Sequence, residues 1–260
     1  MQRILIIAKQ SLGDIILQLG VIQALKEKNP AVQIDVACYE KYRPALEKQS
    51  EIAEILTLDL ASGKSRGFFT VLKQIKQKHY DIILSFGPSK QAVWWGFLAR
   101  IKIRIGTANQ PFGFLLTRSL RERDTQLNSF EYYFKLAQLL APGLSVAFPK
   151  IPIEKKETQH LRASLYKQKV ARKFIVWHIG SSLEEKRYPI FQIVETLRLF
   201  HKKRITLPVV FAGGRGDERF LEELEATVNA ANIRTTKVFF ADTLQFQATA
   251  ALFSLAHLVI

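Results

Sequence analysis

The sequence predicts an α/β protein with parallel sheets, arranged as two successive domains. Three observations support this fold class. Strand-like apolar runs alternate with segments of helical period along the chain, which is typical of parallel βαβ units. A strand–loop–helix unit begins at Ile4, and the same pattern begins again at Phe174. Between them, the segment 141–156 holds three prolines and no helical period, so we place the domain boundary between residues 150 and 151.

In the first domain, strands and helices alternate up to about residue 105. Ile4 to Ala8 is an unbroken apolar run, as expected of a strand buried on both faces of a sheet. Ile15, Leu19 and Ile22 then follow a helical period that Pro30 ends. The later segments predict strands over 32–36, 54–58, 81–86 and 103–105, helices over 68–78, 90–101 and 129–140, and a basic loop over 106–128.

The second domain repeats the pattern with fewer elements. A connecting helix over 157–169 precedes strands predicted over 174–178, 208–212, 238–240 and 258–260, and Pro189 suits the first residue of a helix. One further helix is predicted to start at Glu218, and another is predicted to end near His257. The last residues form a strand with no covering helix after it, so we expect this chain to be a fragment or a truncated product whose second domain, 151–260, is incomplete.

The composition is that of a globular protein. Of 260 residues, 48% are hydrophobic and 23% charged, which is enough to build a core. The single cysteine, Cys38, excludes an internal disulfide framework and fits a reducing compartment. No apolar run approaches the roughly 20 residues of a membrane-spanning helix, and the opening apolar run is too short for a signal peptide. We therefore expect a cytoplasmic protein.

The chain is strongly basic. Its 38 Lys and Arg residues against 23 Asp and Glu residues give a formal net charge of +15, spread over both predicted domains. Such an excess predicts an anionic partner, which can be a nucleic acid, an acidic membrane surface or a phosphorylated substrate. Charge alone does not choose among these partners.

Asp14 lies where open α/β sheets bind ligands, at the carboxyl end of a predicted strand and the start of a helix. Two interpretations are open. The carboxylate can cap the helix and complement its dipole, which contributes about 0.5–2 kcal/mol. It can instead face a cleft as a general base. A loop with one glycine does not separate these roles.

The segment from Ser181 to Lys186 predicts an anion site. It lies directly before the predicted helix start at Pro189, so hydroxyls, helix N–H groups and the Lys186 ammonium converge there. This combination suits a diphosphate. The simpler alternative is that Lys186 is one solvated lysine among many.

Other motifs fail their full patterns. Ser62–Ser65 resembles part of a phosphate loop, but Leu58 stands where the first glycine of that motif belongs, so we reject a nucleotide-binding loop here. Lys64 and Arg66 can still act as surface cations near the mouth of the first domain. The alternative is that they are solvated loop residues. Arg219 replaces the third glycine of a dinucleotide fingerprint, which argues against a Rossmann dehydrogenase. The five histidines show no metal-ligand spacing, so no metal site is predicted.

Two stretches resemble a known family. The loop Ser11-Leu12-Gly13-Asp14 with the later QIDVACYEKYRPALE, and the pattern H-x-G-S-S-x-x-x-K-x-Y-P from His178, are similar to the ADP-heptose:lipopolysaccharide heptosyltransferases, glycosyltransferase family 9. The resemblance covers essentially the whole chain and implies a GT-B-type glycosyltransferase with two facing Rossmann-like domains, the second truncated at its C-terminus. Tyr188 replaces the family's usual Trp. The chain stops before the family's D-[S/T]-G-x-x-H segment, a main contact for the donor sugar and phosphates, so we expect negligible transferase activity from this truncated form.

The resemblance also implies a reaction and roles for residues. The reaction is inverting transfer of heptose from ADP-heptose to the lipopolysaccharide inner core, with Asp14 as catalytic base and no metal or other cofactor. Lys186 neutralises the leaving group. For the donor, the resemblance places Ser181 and Ser182 at phosphate, Asp217 near the ribose and Leu244 near the adenine. On weaker grounds, the candidate acceptor contacts are Lys9, Ser11, Gly13, Lys64, Arg66 and Arg118.

The expected partners follow from this reaction: a nucleotide-sugar donor, an anionic lipopolysaccharide acceptor and peripheral contact with the anionic inner membrane, but no nucleic acid. We expect a monomer. Three alternatives remain. The first is a transferase of the same fold that uses another nucleotide sugar. The second is a non-catalytic member that binds a nucleotide sugar, which would keep Lys186 and dispense with Asp14, and the third is a basic nucleic-acid-binding α/β protein. The last has no helix-turn-helix, RNP-like strand or basic stripe to support it.

Overall fold

The computed structural model describes residues 2–8, 11–58, 64–121, 127–170, 172–181, 184–214, 216–231, 238–240 and 245–260, with the side chains of 64–66 and 238–240 outside the description. The chain divides into two compact units, Met1–Pro152 and Ile153–Ile260. Each unit has its own parallel sheet and its own core.

The first unit is built on a six-stranded parallel sheet with the strand order β3-β2-β1-β4-β5-β6. Short 3₁₀ turns occupy Glu40–Ala45 and Gly113–Leu115. The strands and helices are β1 Arg3–Ile7, α1 Leu12–Lys28, β2 Gln33–Cys38, β3 Glu54–Thr57, α2 Lys64–Lys78, β4 Ile82–Ser85, α3 Lys90–Leu98, β5 Ile103–Thr107, β6 Arg118–Leu120 and α4 Ser129–Gln138.

The strand order of this sheet reverses between β1 and β4. The chain runs outward from β1 through β2 to β3 and then crosses to β4 on the other side of β1. In open parallel sheets, the loops that follow the two strands at such a reversal diverge and leave a crevice at the carboxyl edge. The β1–α1 loop, which leads into the first turn of α1 with Asp14, follows one of the two strands at this reversal.

A charged group is buried in the core near the amino ends of the first strands. The Asp35 carboxylate on β2 accepts hydrogen bonds from Arg3 Nη2 at 2.9 Å and from the Tyr80 hydroxyl at 2.7 Å. A buried carboxylate without such partners would be strongly destabilising. Asp35 is thus satisfied within the protein, and its position away from the carboxyl edge gives it no part in the crevice.

The second unit holds a four-stranded parallel sheet with the order β10-β7-β8-β9. Here too the order reverses beside the first strand of the unit, β7. Its elements are α5 Lys155–Lys167, β7 Ile175–His178, a 3₁₀ turn Glu184–Lys186, α6 Ile190–Lys202, β8 Val209–Ala212, α7 Glu218–Ala230, β9 Val238–Phe240, α8 Phe246–Leu255 and β10 Leu258–Val259.

Helices cover both faces of this second sheet. Alternate residues of β7 point into different clusters: Ile175 and Trp177 pack with α6 and α7, whereas Val176 packs with α5 and α8. This two-sided burial explains why β7 reads as a continuous apolar run in the sequence. By contrast, Leu258, Val259 and Ile260 at the sheet edge are about half exposed.

Several predicted boundaries were wrong by a few residues, and one strand was missed. Helix α2 begins at Lys64, and Pro189 is the N-cap of α6 rather than its first residue. Within the segment predicted as a loop, β6 pairs in parallel with β5. Its three residues carry too little apolar pattern to be recognised without the neighbouring strand. None of the described helices is long and apolar enough to cross a membrane.

Candidate active site

Asp14 is held at the start of α1 by Ser11. Ser11 is the N-cap, in extended backbone geometry, and its Oγ accepts a hydrogen bond from the Asp14 N–H at 3.2 Å. The same hydroxyl donates to Asp14 Oδ2 at 2.6 Å. The side-chain hydrogen bond that caps the helix is therefore made by Ser11. The carboxylate of Asp14 complements the helix dipole from the first turn but does not act as the N-cap.

The other oxygen of Asp14 is bound by a residue 119 positions further along the chain. The Tyr133 hydroxyl, on α4, donates to Asp14 Oδ1 at 2.5 Å. The Tyr133 side chain is only 1% exposed and packs edge-on against Phe86, with 5.2 Å between the ring centroids. Burial and the hydrogen bond to Asp14 raise the pKa of Tyr133 far above its usual range, so the hydroxyl stays protonated.

Helix α4 is fixed so that it can present Tyr133. Its first turn has a reciprocal capping box, in which the Asn128 side chain accepts from the Glu131 N–H and the Glu131 side chain accepts from the Asn128 N–H.

Sequence reasoning did not single out Tyr133. A signal for it exists, since a tyrosine on the apolar face of a helix needs a partner for its hydroxyl when it is buried.

The loop after β4 follows the other strand at the reversal. Ser89 caps α3 by accepting a hydrogen bond from the Ala92 N–H at 3.1 Å, and its own N–H donates to Gln110 Oε1 at 2.6 Å. The Ser85 hydroxyl donates to the Gly87 carbonyl at 2.8 Å. These hydrogen bonds fix the conformation of the loop between β4 and α3.

In the second unit, an ion pair joins the loops that follow β7 and β8. Arg187 Nη2 donates to Asp217 Oδ1 at 2.6 Å, and the Gly214 N–H donates to Asp217 Oδ2 at 2.9 Å. The Arg187 guanidinium also reaches the Ser181 carbonyl at 3.4 Å and lies 5.4 Å from the Phe220 ring centroid. Asp217 is 7% exposed, so both its carboxylate oxygens are engaged inside the protein.

Two glycines allow this close approach of the loops. A Cβ atom at Gly180 would lie 2.6 Å from Asp217 Oδ2, and one at Gly213 would lie 2.8 Å from Asp217 Cβ. Both distances are shorter than nonbonded contact allows. The glycines of the two loops are thus required by the Arg187–Asp217 pair, which sequence reasoning missed because its members are 30 residues apart.

Lys186 ends the 3₁₀ turn that precedes α6, and its side chain is exposed. Pro189, the N-cap of α6, has no polar side chain with which to cap the helix, and the first turn of α6 carries no acidic residue. The free N–H groups and partial positive charge of a helix start favour anions. Glu184 and Glu185 share the 3₁₀ turn, so the local charge is mixed.

The structure brings some of the predicted site residues together and separates others. Ser11 and Asp14 are in contact, and Ser181 is joined to Asp217 through Arg187. Gly13 is exposed, with no described atom within 4 Å of the place where a Cβ would stand. Ser182, Leu244 and Lys9 lie outside the described residues, as do the side chains of Lys64 and Arg66.

Arg118 makes its described hydrogen bond at the end of α4. It is the first residue of β6, and its Nη1 donates to the Leu139 carbonyl at 2.6 Å, at the C-terminal end of α4. Leu139 is six residues beyond Tyr133, or about 9 Å along a helix. The contact of Arg118 with an acceptor stays a prediction.

Ligands for a metal are not clustered in the described part of the chain, where no group of three His, Cys, Asp or Glu side chains could hold an ion. That the protein uses no metal or other cofactor stays a prediction.

The comparison with known proteins identifies the family. The sequence model of glycosyltransferase family 9 (heptosyltransferase) matches residues 68–260, about three quarters of the chain. The chain belongs to glycosyltransferase family 9. The predicted resemblance is thereby confirmed. The matched segment starts beyond Asp14, so the family model by itself does not assign that residue.

Relatives in sequence and structure agree with this assignment. The chain is 24% identical over 233 residues to lipooligosaccharide heptosyltransferase 2 of Haemophilus ducreyi, an alignment that covers 85% of this chain and 66% of the relative. The fold matches a family 9 glycosyltransferase from Veillonella parvula with a TM-score of 0.82 and 20% identity, over 99% of this chain and 75% of that one.

A second solved structure, ADP-heptose lipopolysaccharide heptosyltransferase II of Escherichia coli, matches with a TM-score of 0.78 and 18% identity, over 100% of this chain and 78% of that one. The predicted fold class, an α/β protein of the GT-B glycosyltransferase type, is confirmed by these matches. The chain spans about two thirds of the length of the H. ducreyi relative. The incompleteness of the second domain stays a prediction.

Proposed function

We propose that this chain is an inverting glycosyltransferase that moves heptose from ADP-heptose to the inner core of lipopolysaccharide. Family membership and the names of the relatives support the class of reaction. The observation that carries the proposal is the position of Asp14. Its carboxylate lies at the crevice of the first sheet and is oriented by two hydroxyl groups, as a catalytic base must be.

In the proposed step, the acceptor hydroxyl oxygen attacks the anomeric carbon of the donor while Asp14 takes the hydroxyl proton. The bond between the anomeric carbon and the diphosphate oxygen breaks, and ADP leaves with the electron pair. A single displacement of this kind inverts the anomeric centre. The proton ends on Asp14 and the negative charge on ADP, so no oxidant or other co-reactant is needed.

Geometry favours Oδ2 of Asp14 as the atom that takes the proton. The Ser11 hydroxyl at Oδ2 belongs to a half-buried residue and can rotate, whereas the Tyr133 hydroxyl at Oδ1 belongs to a buried side chain of α4. A hydroxyl can donate or accept. Once Oδ2 is protonated, the hydrogen bond with Ser11 can therefore reverse its direction, while Tyr133 continues to hold Oδ1.

The donor is assigned to the loop between β7 and α6. Lys186, Ser181 and Ser182 would bind the diphosphate beside the start of α6, and Lys186 would offset the charge that develops on the leaving ADP. Asp217 near the ribose and Leu244 near the adenine complete the proposed donor site. Because Arg187 and Gly214 already engage the Asp217 carboxylate, its main contribution is to hold the donor loop in place.

The acceptor is assigned to the first unit. A phosphorylated lipid sugar is anionic and suits a chain with a net charge of +15. The open space beside Gly13 leaves room for a sugar to approach the start of α1. The proposed acceptor contacts are Lys9, Ser11, Gly13, Lys64, Arg66 and Arg118. We propose that the protein acts on this acceptor as a cytoplasmic monomer at the inner face of the membrane.

Two measurements test the proposal. Release of ADP from ADP-heptose, measured with and without a lipopolysaccharide core acceptor, should depend on the acceptor. Binding without release would instead support a non-catalytic member. Calorimetry with ADP, UDP and GDP tests the donor, since a preference for UDP or GDP would contradict ADP-heptose and point to a transferase of the same fold that uses another nucleotide sugar.

A further inference from the structure

Apart from the Asp14 crevice, the first unit carries an exposed apolar surface on α3 and the 3₁₀ turn after β5. We call it the aromatic patch, and it consists of Trp94, Phe97, Leu98, Phe112 and Phe114. Phe114 is 82% exposed, Phe97, Leu98 and Phe112 are also exposed, and Trp94 is half-buried beneath them. An apolar surface formed by neighbouring side chains is more informative than scattered exposed residues, because it marks a contact with another phase or molecule.

The patch is a continuous, built surface. Trp94 lies 6.1 Å from Phe97 and 5.1 Å from Phe112 between ring centroids, and Phe112 lies 6.4 Å from Phe114. Phe112 has a φ angle of +65°, which is unusual for a bulky residue and indicates local strain. The fold thus holds an aromatic side chain at the surface in an unfavourable backbone conformation.

Arg104 fixes the turn that carries Phe112 and Phe114. Its Nε donates to the Leu115 carbonyl at 2.7 Å and its Nη1 to the Ile101 carbonyl at 2.6 Å. These bonds tie the 3₁₀ turn to the segment that leaves α3. The two halves of the patch are therefore held together by hydrogen bonds as well as by ring contacts.

The stretch of sequence that holds the patch carries only basic charges. Residues 82–121 contain six basic residues and no acidic residue. Two of the basic residues, Arg100 and Lys102, are exposed and follow directly on the end of α3. The six are Lys90, Arg100, Lys102, Arg104, Arg118 and Arg121.

We propose that the aromatic patch docks this chain on an anionic lipid bilayer. Aromatic rings sit favourably at the level of the lipid headgroups, and lysine and arginine beside them attract acidic lipids. The exposed Arg100 and Lys102, which follow α3, carry the charge that acidic lipid headgroups attract, and this complementarity favours a bilayer as the occupant. The inference builds on the proposed function, because a transferase that acts on a lipid-linked acceptor must reach the membrane.

The test uses vesicles of phosphatidylcholine alone and vesicles of phosphatidylcholine with phosphatidylglycerol. The chain should sediment with the phosphatidylglycerol vesicles, less so at high salt, and Trp94 emission should shift to the blue on binding. Phe114→Ser should lower the partition coefficient about tenfold, equivalent to ~1.4 kcal/mol. Lys102→Glu, which exchanges attraction for repulsion, should lower it by about as much.

Matched controls exist outside the patch. Phe148 is 81% exposed, nearly the same as Phe114, but is not in the patch, so Phe148→Ser should leave vesicle binding unchanged. Lys155→Glu places an exposed charge reversal on α5, in the other unit, and should have only a small effect. Equal losses from patch and control variants would overturn the proposal, as would equal binding to both kinds of vesicle.

Two further outcomes also overturn it. Failure of the chain to bind vesicles would do so, and so would loss of self-association in Phe114→Ser, which would identify a second copy as the occupant of the patch.

Failure of the proposed transferase function can be distinguished from failure of the docking proposal. With a water-soluble acceptor, ADP release should be the same for Phe114→Ser and the unchanged chain, whereas vesicle binding without any ADP release would retain the docking surface and reject the transferase activity.

Discussion

The β1–α1 loop and the β7–α6 loop are the same supersecondary unit with opposite chemistry at the helix start. Each follows the first strand of its sheet, next to the reversal in strand order. In α1, Ser11 caps the helix and Asp14 places a negative charge in the first turn. In α6, Pro189 supplies no capping side chain and Lys186 precedes the helix.

The difference between the two loops explains how one repeated unit can be assigned to two tasks. A helix start that already contains a carboxylate has no need of an external anion, and that carboxylate is available as a base. A helix start without one can bind a phosphate group from a ligand. The comparison predicts that substitutions in the first loop change turnover, and that substitutions in the second loop change donor affinity or the stability of its own unit.

The largest expected effect is that of Asp14→Asn. In a transferase assay of the complete enzyme, loss of the base should lower kcat by about 10²–10⁴, or roughly 3–5 kcal/mol of activation free energy. ADP affinity should hardly change, since the donor is assigned to the other unit. If kcat stayed within a few-fold while thermal stability fell, Asp14 would be a helix-stabilising residue and the comparison of the two loops would fail.

Lys186→Ala tests the second loop. Removing one charge-assisted contact to the diphosphate should weaken ADP binding by about 1.5–3 kcal/mol in calorimetry, and adenosine binding should be unaffected. Lys202→Ala is the matched control, because Lys202 is an exposed lysine at the far end of the same helix. A similar loss for adenosine, or for the control variant, would show that no phosphate contact was removed.

Arg187→Gln sharpens the distinction between donor contact and loop support. Loss of the part-buried ion pair with Asp217 should lower the free energy of unfolding of the second unit by about 1–2 kcal/mol in denaturant titration. The exposed Arg198–Glu195 pair provides the control, and Arg198→Gln should cost well under about 1 kcal/mol. Equal costs for the two variants would mean that the Arg187–Asp217 pair does not hold the loops together.

The smallest effect is expected for Tyr133→Phe, which removes one of the hydroxyl groups that the structure describes at Asp14. We expect kcat to fall a few-fold and the free energy of unfolding to fall by about 1 kcal/mol. Tyr132→Phe is the control on the same helix, since the Tyr132 hydroxyl bonds to Thr107 Oγ1 and the Leu120 carbonyl instead. A similar fall in kcat for both variants would show that Tyr133 acts only through stability.

Much of the fold and part of the site were predictable from local pattern. The apolar run from Ile4 and the helical period of α1 place Asp14 at a strand end without any tertiary information. The repeat at Phe174 does the same for the loop that holds Lys186. Strand β6 was missed because three residues hold no usable period, and the start of α2 was misplaced because its first turn, Lys64 to Gly67, is not apolar.

The sequence by itself determined the fold class, the family and the two loops, because strands, helix starts and the family's motifs are encoded within a few consecutive residues. Only the tertiary structure decided which groups complete those loops. Tyr133 reaches Asp14 across 119 positions, and Arg187 reaches Asp217 across 30. Hydrogen bonds and ion pairs of this kind depend on how helices and strands pack, and no local periodicity records which side chain will face a carboxylate.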